Sequence, residues 1–376
     1  MFLVRKKLGD LGFKIIIGVV ALVIFASAIY YANDGFGLPY GGQDYYFETA
    51  RVVEVLEADL EVSEDGFYIG EMLLVVEIET GSYRSRQIEV VYHLNQIADQ
   101  TLAVDDRVSI QMSVADSVIM SIDIQNFERR SSVFAFFAVF LLILGILGGK
   151  RGIIAIMSLV FTLICIVFLL IPLMLRGYPV LLTTFIILAL VTTVSLTFLA
   201  GLSSRGISAI IGCLFGIMTT AILTYLGGTV ANISGFQMEE VGLILAATDF
   251  PHLQATGLFI SGVLIASLGA VMSTAVTIAS TIHELREKNK NMTVGRLFAS
   301  GIKVGRQTMG AMVCTLVLAF AGMSLNMMIF TYSQGISVNQ LINSDFIVIE
   351  IIRSIAGSLG IILTIPAVAF VSCVME

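Results

Sequence analysis

Charged residues are scarce in this chain of 376 residues. They make up 13% of all positions, whereas hydrophobic residues make up 57% and the mean hydropathy is +0.94. This composition excludes an ordinary soluble domain and indicates a protein that crosses a membrane several times. Cysteine occurs only four times, always within a long apolar run. The sequence therefore predicts no disulfide framework and no thiolate metal site in the polar part of the chain.

Motifs that carry enzymatic chemistry are also missing. The chain has no H-x-x-x-H, C-x-x-C, G-x-x-x-x-G-K or G-x-S-x-G pattern, and its three histidines are far apart in sequence. Such patterns are how metal sites, phosphate-binding loops and activated nucleophiles are recognised in a sequence. We therefore expect no enzymatic activity, no cofactor, no bound metal and no nucleic-acid partner.

Long apolar stretches dominate what is present. Eight of them approach the length of about 20 residues with which a helix crosses a bilayer. They lie at Lys14–Tyr31, Ser132–Gly149, Ile153–Leu175, Tyr178–Ala200, Ile207–Ala231, Gly257–Ser280, Met309–Tyr332 and Phe346–Val374. The sequence predicts an all-α membrane domain of about eight helices in the lipid bilayer: an anchor at 1–32 and seven helices at 131–376, with an inserted domain at 33–130.

Lysine and arginine set the orientation of these spans. If the spans alternate in direction, most basic residues near their ends fall on one side, which is then the cytoplasm. They are Arg5, Lys6, Lys7, Lys14, Lys150, Arg151, Arg205, Arg286, Lys288, Lys290, Arg296, Lys303 and Arg306. We therefore expect both termini in the cytoplasm and residues 33–130 on the opposite side of the membrane.

The first span has two interpretations. Basic residues, an apolar run and the small residues Ala26–Ala28 also describe a signal peptide with its cleavage site. The apolar run continues through Ile29 to Tyr31, which favours an uncleaved anchor. Under either interpretation the segment that follows is exported.

The exported segment, residues 33–130, differs sharply from the rest of the chain. It contains 19 acidic and 6 basic residues and no lysine, a net charge of −13, whereas the remainder carries +6. Apolar and polar residues alternate in several runs that turn signals separate, a pattern typical of strands. We expect a small all-β domain of about five to seven strands, either a barrel that resembles an OB-fold or a sandwich. Its acidity either keeps the domain soluble or collects cations.

Two predicted spans carry small and polar residues at helical spacing. On the first, intervals of 4, 4, 3 and 4 residues place one stripe on one face: Gly269, Ser273, Thr277, Ser280 and Glu284. On the second, intervals of 3, 4 and 3 do the same for Glu350, Arg353, Gly357 and Gly360. Such stripes either let neighbouring helices pack closely or line a polar pathway through the membrane.

The charges of the second stripe raise the sharper question. Glu350 and Arg353 lie three residues apart, so a helix lets them form an ion pair. The pair is either an interfacial anchor for its helix or part of an outward-facing mouth, with Asn326 as a possible neighbour. Both alternatives place it near the outer end of its span.

Four segments occur in order along the membrane part of the chain: "KRGIIAI", "LGAVMSTAVTIASTIHEL", "GRQTMGAMVCTLVLAFAGMSL" and "EIIRSIAGSLGIILTIP". From about Arg129 to the C-terminus the chain resembles the YibE/F-like family of bacterial multi-pass membrane proteins. This resemblance implies a bacterial cell membrane as the location. The matching residues within the two stripes are Gly269, Thr277, Ser280, Glu284, Glu350, Arg353, Gly357 and Gly360.

The chain also departs from the pattern of that family. Met272 and Ser273 stand where its members usually have one or two aspartates, and Cys314 stands where they usually have asparagine. Members often occur as pairs encoded by adjacent genes. The resemblance therefore implies that this chain is the structural half of a hetero-oligomer with a related protein that retains the acids.

Two functions fit these observations. The first is a permease subunit, a transporter or channel component for a small solute or ion. The second is an envelope scaffold or accessory protein whose exported β domain binds a partner. Transport predicts a water-accessible path along the two stripes, whereas a scaffold predicts dry contacts between helices there.

Overall fold

The computed structural model describes residues 25–34, 44–63, 68–94, 101–115, 118–201, 203–238, 241–244 and 253–375. The contacts within the chain divide it into two compact units, residues 37–143 and residues 1–36 with 144–376. The first unit holds the strands and the beginning of a long helix. The second holds the other long helices. Each unit is described by itself.

The strands of the first unit form one antiparallel sheet. They are β1 (Asp44–Val62), β2 (Tyr68–Ile78), β3 (Gln87–Leu94), β4 (Arg107–Ala115) and β5 (Val118–Phe127). Their order across the sheet is β3-β2-β1-β4-β5, and β3 also contacts β5, so the sheet nearly closes on itself. A single nearly closed sheet fits a barrel rather than the two facing sheets of the predicted sandwich.

Alternation of apolar and polar residues produces the interior of this sheet. Along β2, Met72, Leu74, Val76 and Ile78 are buried while the residues between them are more exposed. The other strands supply the rest of the buried cluster, such as Ile110 on β4. On β2 the acidic residues Glu71 and Glu77 occupy the opposite positions, as the period of two requires.

Most of the long helices extend beyond the predicted spans, whereas the helix at Val180–Ala200 is slightly shorter than its span. The helices are α1 (25–33), α2 (Arg130–Cys165), α3 (Ile171–Leu175), α4 (Val180–Ala200), α5 (Ser204–Val230), α6 (Ala255–Lys288), α7 (Val294–Met323), α8 (Leu325–Ser333), α9 (Val338–Ile342) and α10 (Asp345–Met375). A π-helical turn at Ile166–Leu170 joins α2 to α3. In the described part of the chain, six helices are long and apolar enough to cross a membrane.

The difference between eight predicted spans and six helices has two causes. Residues 14–24 of the first predicted span lie outside the described residues. The second and third predicted spans belong to one run, Arg130–Leu175, which Gly149 interrupts with non-helical φ and ψ angles of 54° and −135°. The helix that carries the start of the seventh predicted span, α7, begins earlier than that span, at Val294 rather than near Met309. Basic residues lower the hydropathy of the first turns of α7 but do not prevent a helix.

Close packing of α5, α6 and α10 forms the centre of the helical unit. Glycines make this possible: a Cβ at Gly216 of α5 would overlap the Thr364 hydroxyl of α10. Hydroxyl groups are numerous in this interior, and most donate to a carbonyl one turn earlier, as Thr220 does to Gly216. A buried hydrogen bond of 2.7 Å joins the hydroxyl groups of Thr184 on α4 and Ser261 on α6.

The end of α1 is attached to the helical unit. The Asn33 side-chain amide donates to the Phe168 carbonyl over 2.9 Å, and the Tyr31 and Tyr178 hydroxyl groups lie 3.0 Å apart. Arg176 donates to the Ala32 carbonyl over 3.1 Å and lies 4.9 Å from the centre of the Tyr31 ring. These contacts fix the point at which the chain leaves the helical unit.

Candidate functional site

An ion pair lies near the beginning of α10. Arg353 Nη1 donates a hydrogen bond of 2.6 Å to Glu350 Oε1. The two side chains are only 15% and 13% exposed, respectively. A charge-assisted hydrogen bond that is shielded from water is stronger than one on an open surface. The predicted pairing of these residues is therefore present in the structure.

Apolar groups surround the guanidinium of Arg353. Its carbon lies 5.8 Å from the centre of the Phe259 ring on α6, and Phe259 is 1% exposed. Arg353 Nη2 donates to the Met238 sulfur over 3.3 Å. Arg353 Nε is buried and has no hydrogen-bond partner in the described part of the chain. Cation–π and sulfur contacts take the place of water around the guanidinium. The positive charge of Arg353 is therefore stabilised mainly by Glu350.

The carboxylate of the pair lines a cleft of about 310 Å³ between α7, α8 and α10. The walls of the cleft are mainly aliphatic. Among the described residues, Glu350 provides the only ionisable group that lines the cleft. The lining residues are Val317, Ala321, Ser324, Met328, Ile347, Glu350, Ile351, Ser354 and Ile355. An apolar cleft with a few convergent polar groups is the usual form of a small-molecule site.

Asn326, the proposed neighbour of the pair, does not line this cleft. It lies on α8 and is exposed. Ser324 and Met328 of the same segment line the cleft instead. One residue of displacement along a helix turns a side chain by about 100°, so a position that is correct in sequence can still face away.

The glycines of the second stripe pack against neighbouring helices. A Cβ at Gly357 would lie 2.8 Å from a Leu316 methyl group of α7 and 3.5 Å from Ser267 of α6. A Cβ at Gly360 would overlap the Thr220 hydroxyl of α5. In this conformation, the part of the α10 stripe that follows the charged pair lies in contacts between helices.

The first stripe faces away from the centre of the bundle. Gly269, Ser273 and Glu284 on α6 are exposed, and Thr277 and Ser280 are half-buried. No atom of the described chain would lie within 4 Å of a Cβ at Gly269. The opposite face of α6, with Ser267 and Val271, packs against α10 and α5. The structure therefore does not bring the two stripes together.

The last residues of the first stripe line a second cavity. Its volume is about 350 Å³, and it lies at the end of the helical unit remote from Glu350. Charged groups from three elements meet there: Arg151, Arg205 and Glu284. The other lining residues are Ile154, Ala155, Leu199, Ala200, Val276 and Ser280.

Comparison with known families agrees with this architecture. The sequence model described as "YibE/F-like protein" matches residues 136–376, which is most of the chain. The chain belongs to the YibE/F-like family. This membership confirms the resemblance seen in the four sequence segments. No curated protein and no solved structure shows significant similarity to this YibE/F-like chain.

The departures from the family pattern occupy distinct environments. Met272 packs against the buried cluster of the bundle, whereas its neighbour Ser273 is exposed. Cys314 is also exposed. Aspartate side chains in related YibE/F-like proteins would therefore differ in burial according to which of the two positions carries them.

Several groups at these sites were not predicted from the sequence. Phe259 and Met238 contact Arg353 from other parts of the chain, and no spacing rule connects them. In the sequence, Arg151 and Arg205 indicate the orientation of the spans, and Arg151 also lies in the first segment of the family resemblance. The predicted topology places both arginines on the same side of the membrane as Glu284. This was the feature of the sequence that could have indicated that the three residues lie close together.

Proposed function

We propose that this YibE/F-like protein is a multi-pass permease subunit, a transporter or channel component for a small solute or ion. The observation that carries this proposal is the Glu350–Arg353 pair, shielded from solvent at the side of a cleft in the helical unit. Charges that are kept within membrane-spanning helices mark substrate and ion pathways in many transporters.

The arrangement of cavities supports the same function. The first, mainly apolar cleft lies beside the beginning of α10, and the second cavity lies beside the end of α6, at the opposite end of the helical unit. Between them, Ser267 of α6 and Ser358 of α10 are buried, and Ser267 lies beside Gly357 of α10. Passage of a solute requires those contacts to separate, as in proteins that open alternately to the two sides of a membrane. The test is whether Ser358 becomes accessible from water in the native membrane.

The scaffold function is the second candidate. The tight packing at Gly357 and Gly360 is the observation that favours it, since those residues leave no space for a solute here. In this function the acidic, nearly closed sheet would bind another envelope protein. Permanent exclusion of water from the α6–α10 contacts would support the scaffold over the permease.

The proposed topology has eight spans in a bacterial cell membrane, with both termini in the cytoplasm and residues 33–130 outside. Division of Arg130–Leu175 at Gly149 supports it, because each part can cross a bilayer alone. Helical structure through Ala26–Ala28 supports an uncleaved anchor.

Labelling of single cysteines tests this topology. We expect Glu57→Cys on β1 to react with a membrane-impermeant thiol reagent in intact cells and Lys290→Cys after α6 to remain unlabelled. Both positions are exposed, so burial does not explain the difference. Disruption of the cells should allow Lys290→Cys to react. The reverse pattern in intact cells would contradict the orientation.

A related YibE/F-like protein is the proposed partner. The exposed face of α6 supports this, because Gly262, Ala266 and Gly269 repeat at helical spacing and leave the backbone open to close approach. We expect such a protein, carrying the missing aspartates, to co-purify in mild detergent and to be identified by mass spectrometry. Gly269→Leu should reduce its recovery. Purification of this chain alone or as a homo-oligomer would contradict the pairing.

A further inference from the structure

The second cavity combines two guanidinium groups with one carboxylate. Arg151 follows the interruption of α2 at Gly149, Arg205 lies in the first turn of α5, and Glu284 lies in the last turns of α6. None of the three forms an ion pair in the part of the chain that the structure describes. Charges of both signs therefore line one cavity, which suits a ligand that carries charge of both signs.

Arg205 is held in position for an anion. Its Nη2 donates to the Ala200 carbonyl at the end of α4 over 3.1 Å. Its Nε is buried and has no hydrogen-bond partner among the described residues. Arg205 also lies at the N-terminus of α5, where the helix dipole adds partial positive charge. A phosphate oxygen in the cavity would accept a hydrogen bond from the part of the Arg205 guanidinium that lines it.

Glu284 restricts what the ligand can be. A simple anion between the two arginines would also approach this carboxylate, which would repel it. A ligand that carries an ammonium group next to its phosphate avoids the conflict, because the ammonium can pair with Glu284. We propose that this cavity binds a phosphoethanolamine group, with its phosphate at Arg151 and Arg205 and its ammonium at Glu284.

The surroundings favour a lipid as the source of that group. The remaining walls are mainly apolar, with Ile154 and Ala155 from α2, Leu199 from α4 and Val276 from α6. The cavity lies at the end of the helical unit, where head groups meet water. A head group in the cavity would leave its acyl chains along these apolar walls. Free phosphoethanolamine carries the same charges and is the other source. This site is separate from Glu350 and Arg353 and does not rest on the proposed transport function.

The test is binding of defined ligands to the purified full chain in detergent, measured by native mass spectrometry. The probes are phosphatidylethanolamine, phosphatidylglycerol and free phosphoethanolamine. The variants are Arg151→Gln, Arg205→Gln and Glu284→Gln. Arg296→Gln is the control, because Arg296 is exposed on the same predicted side and does not line the cavity. Arg151 makes no hydrogen bond that holds the fold in the described part, so its variant tests the site even if Arg205→Gln misfolds.

We expect the wild type to prefer phosphatidylethanolamine to phosphatidylglycerol. Each arginine variant should bind phosphatidylethanolamine about tenfold more weakly, the loss of a hydrogen bond to a charged group. Glu284→Gln should remove the preference while retaining binding of phosphatidylglycerol. Arg296→Gln should behave as the wild type.

Competition between the lipid and free phosphoethanolamine identifies the source of the bound group. Displacement of the lipid by free phosphoethanolamine would support the site with a soluble ligand, and persistent lipid binding would support it with a lipid. Equal binding of both lipids by the wild type, or equal behaviour of Arg151→Gln and Arg296→Gln, would overturn the proposal.

Discussion

Glu350→Gln and Arg353→Gln are each expected to destabilise the protein more than the double substitution does. Removal of one partner leaves the other charge in an environment that is only 13–15% exposed. For a well-buried pair such a change costs about 3–5 kcal/mol, and this partly shielded pair should approach the lower value. In Arg353→Gln the carboxylate keeps its position in the cleft. In Glu350→Gln the guanidinium keeps only Phe259 and Met238 as close neighbours within the described chain.

The measurement is the thermal stability of the four proteins in mild detergent, with the amount of folded protein in the membrane as a second readout. Glu287→Gln is the control, because Glu287 is 69% exposed and its carboxylate lies 3.5 Å from the His283 imidazole on α6. Its loss should change stability little. A double variant that is stable but has lost the proposed transport activity would indicate a functional pair. A double variant that behaves as the wild type would indicate that the pair only anchors its helix. Two silent single variants would show that the charges are solvated.

Gly360→Ala is expected to have the second largest effect. The added Cβ would overlap the Thr220 hydroxyl and lie 3.1 Å from the Thr220 Cβ, so α5 and α10 must separate. Overpacking of this kind destabilises a protein by about 1–3 kcal/mol. Alanine is otherwise favoured over glycine within a helix by about 1 kcal/mol, so a loss of stability can be attributed to the contact.

Thr220→Ala provides the matched test of that contact. It removes the overlapping hydroxyl, so Gly360→Ala combined with Thr220→Ala should recover part of the lost stability. Gly269→Ala is the control, since no described atom lies within 4 Å of a Cβ there. Thermal unfolding of the purified variants measures both. If Gly360→Ala and Gly269→Ala have equal effects, α5 and α10 do not pack as described.

Periodicity along the chain predicted those features that depend on local geometry. The three-residue interval between Glu350 and Arg353 predicted their ion pair, and alternation along residues 68–78 predicted a strand. Both follow from the repeat of a single element. The same reasoning gave the small-residue stripe on α6 but not the direction in which it faces.

Features that depend on several elements could not be predicted. Phe259 and Met238 reach Arg353 because the beginning of α6 and the segment after α5 lie beside the first turns of α10. Sequence spacing carries no information about such contacts between separate helices. The start of α7 was missed for another reason: hydropathy marks the apolar part of a helix, and its basic first turns fall outside that part.

Access of water to the buried face of α10 at Ser358 tests the permease proposal most directly. The four native cysteines are replaced by alanine, and Ser358→Cys or Leu359→Cys is introduced alone. Ser358 is 6% exposed and buried among helices, whereas its neighbour Leu359 is 37% exposed on the outer face of α10. A permease predicts that a membrane-impermeant thiol reagent labels Ser358→Cys in native membranes but not Leu359→Cys, which faces lipid. Failure of Ser358→Cys to react there, with full labelling after denaturation, would contradict the proposal and favour the scaffold.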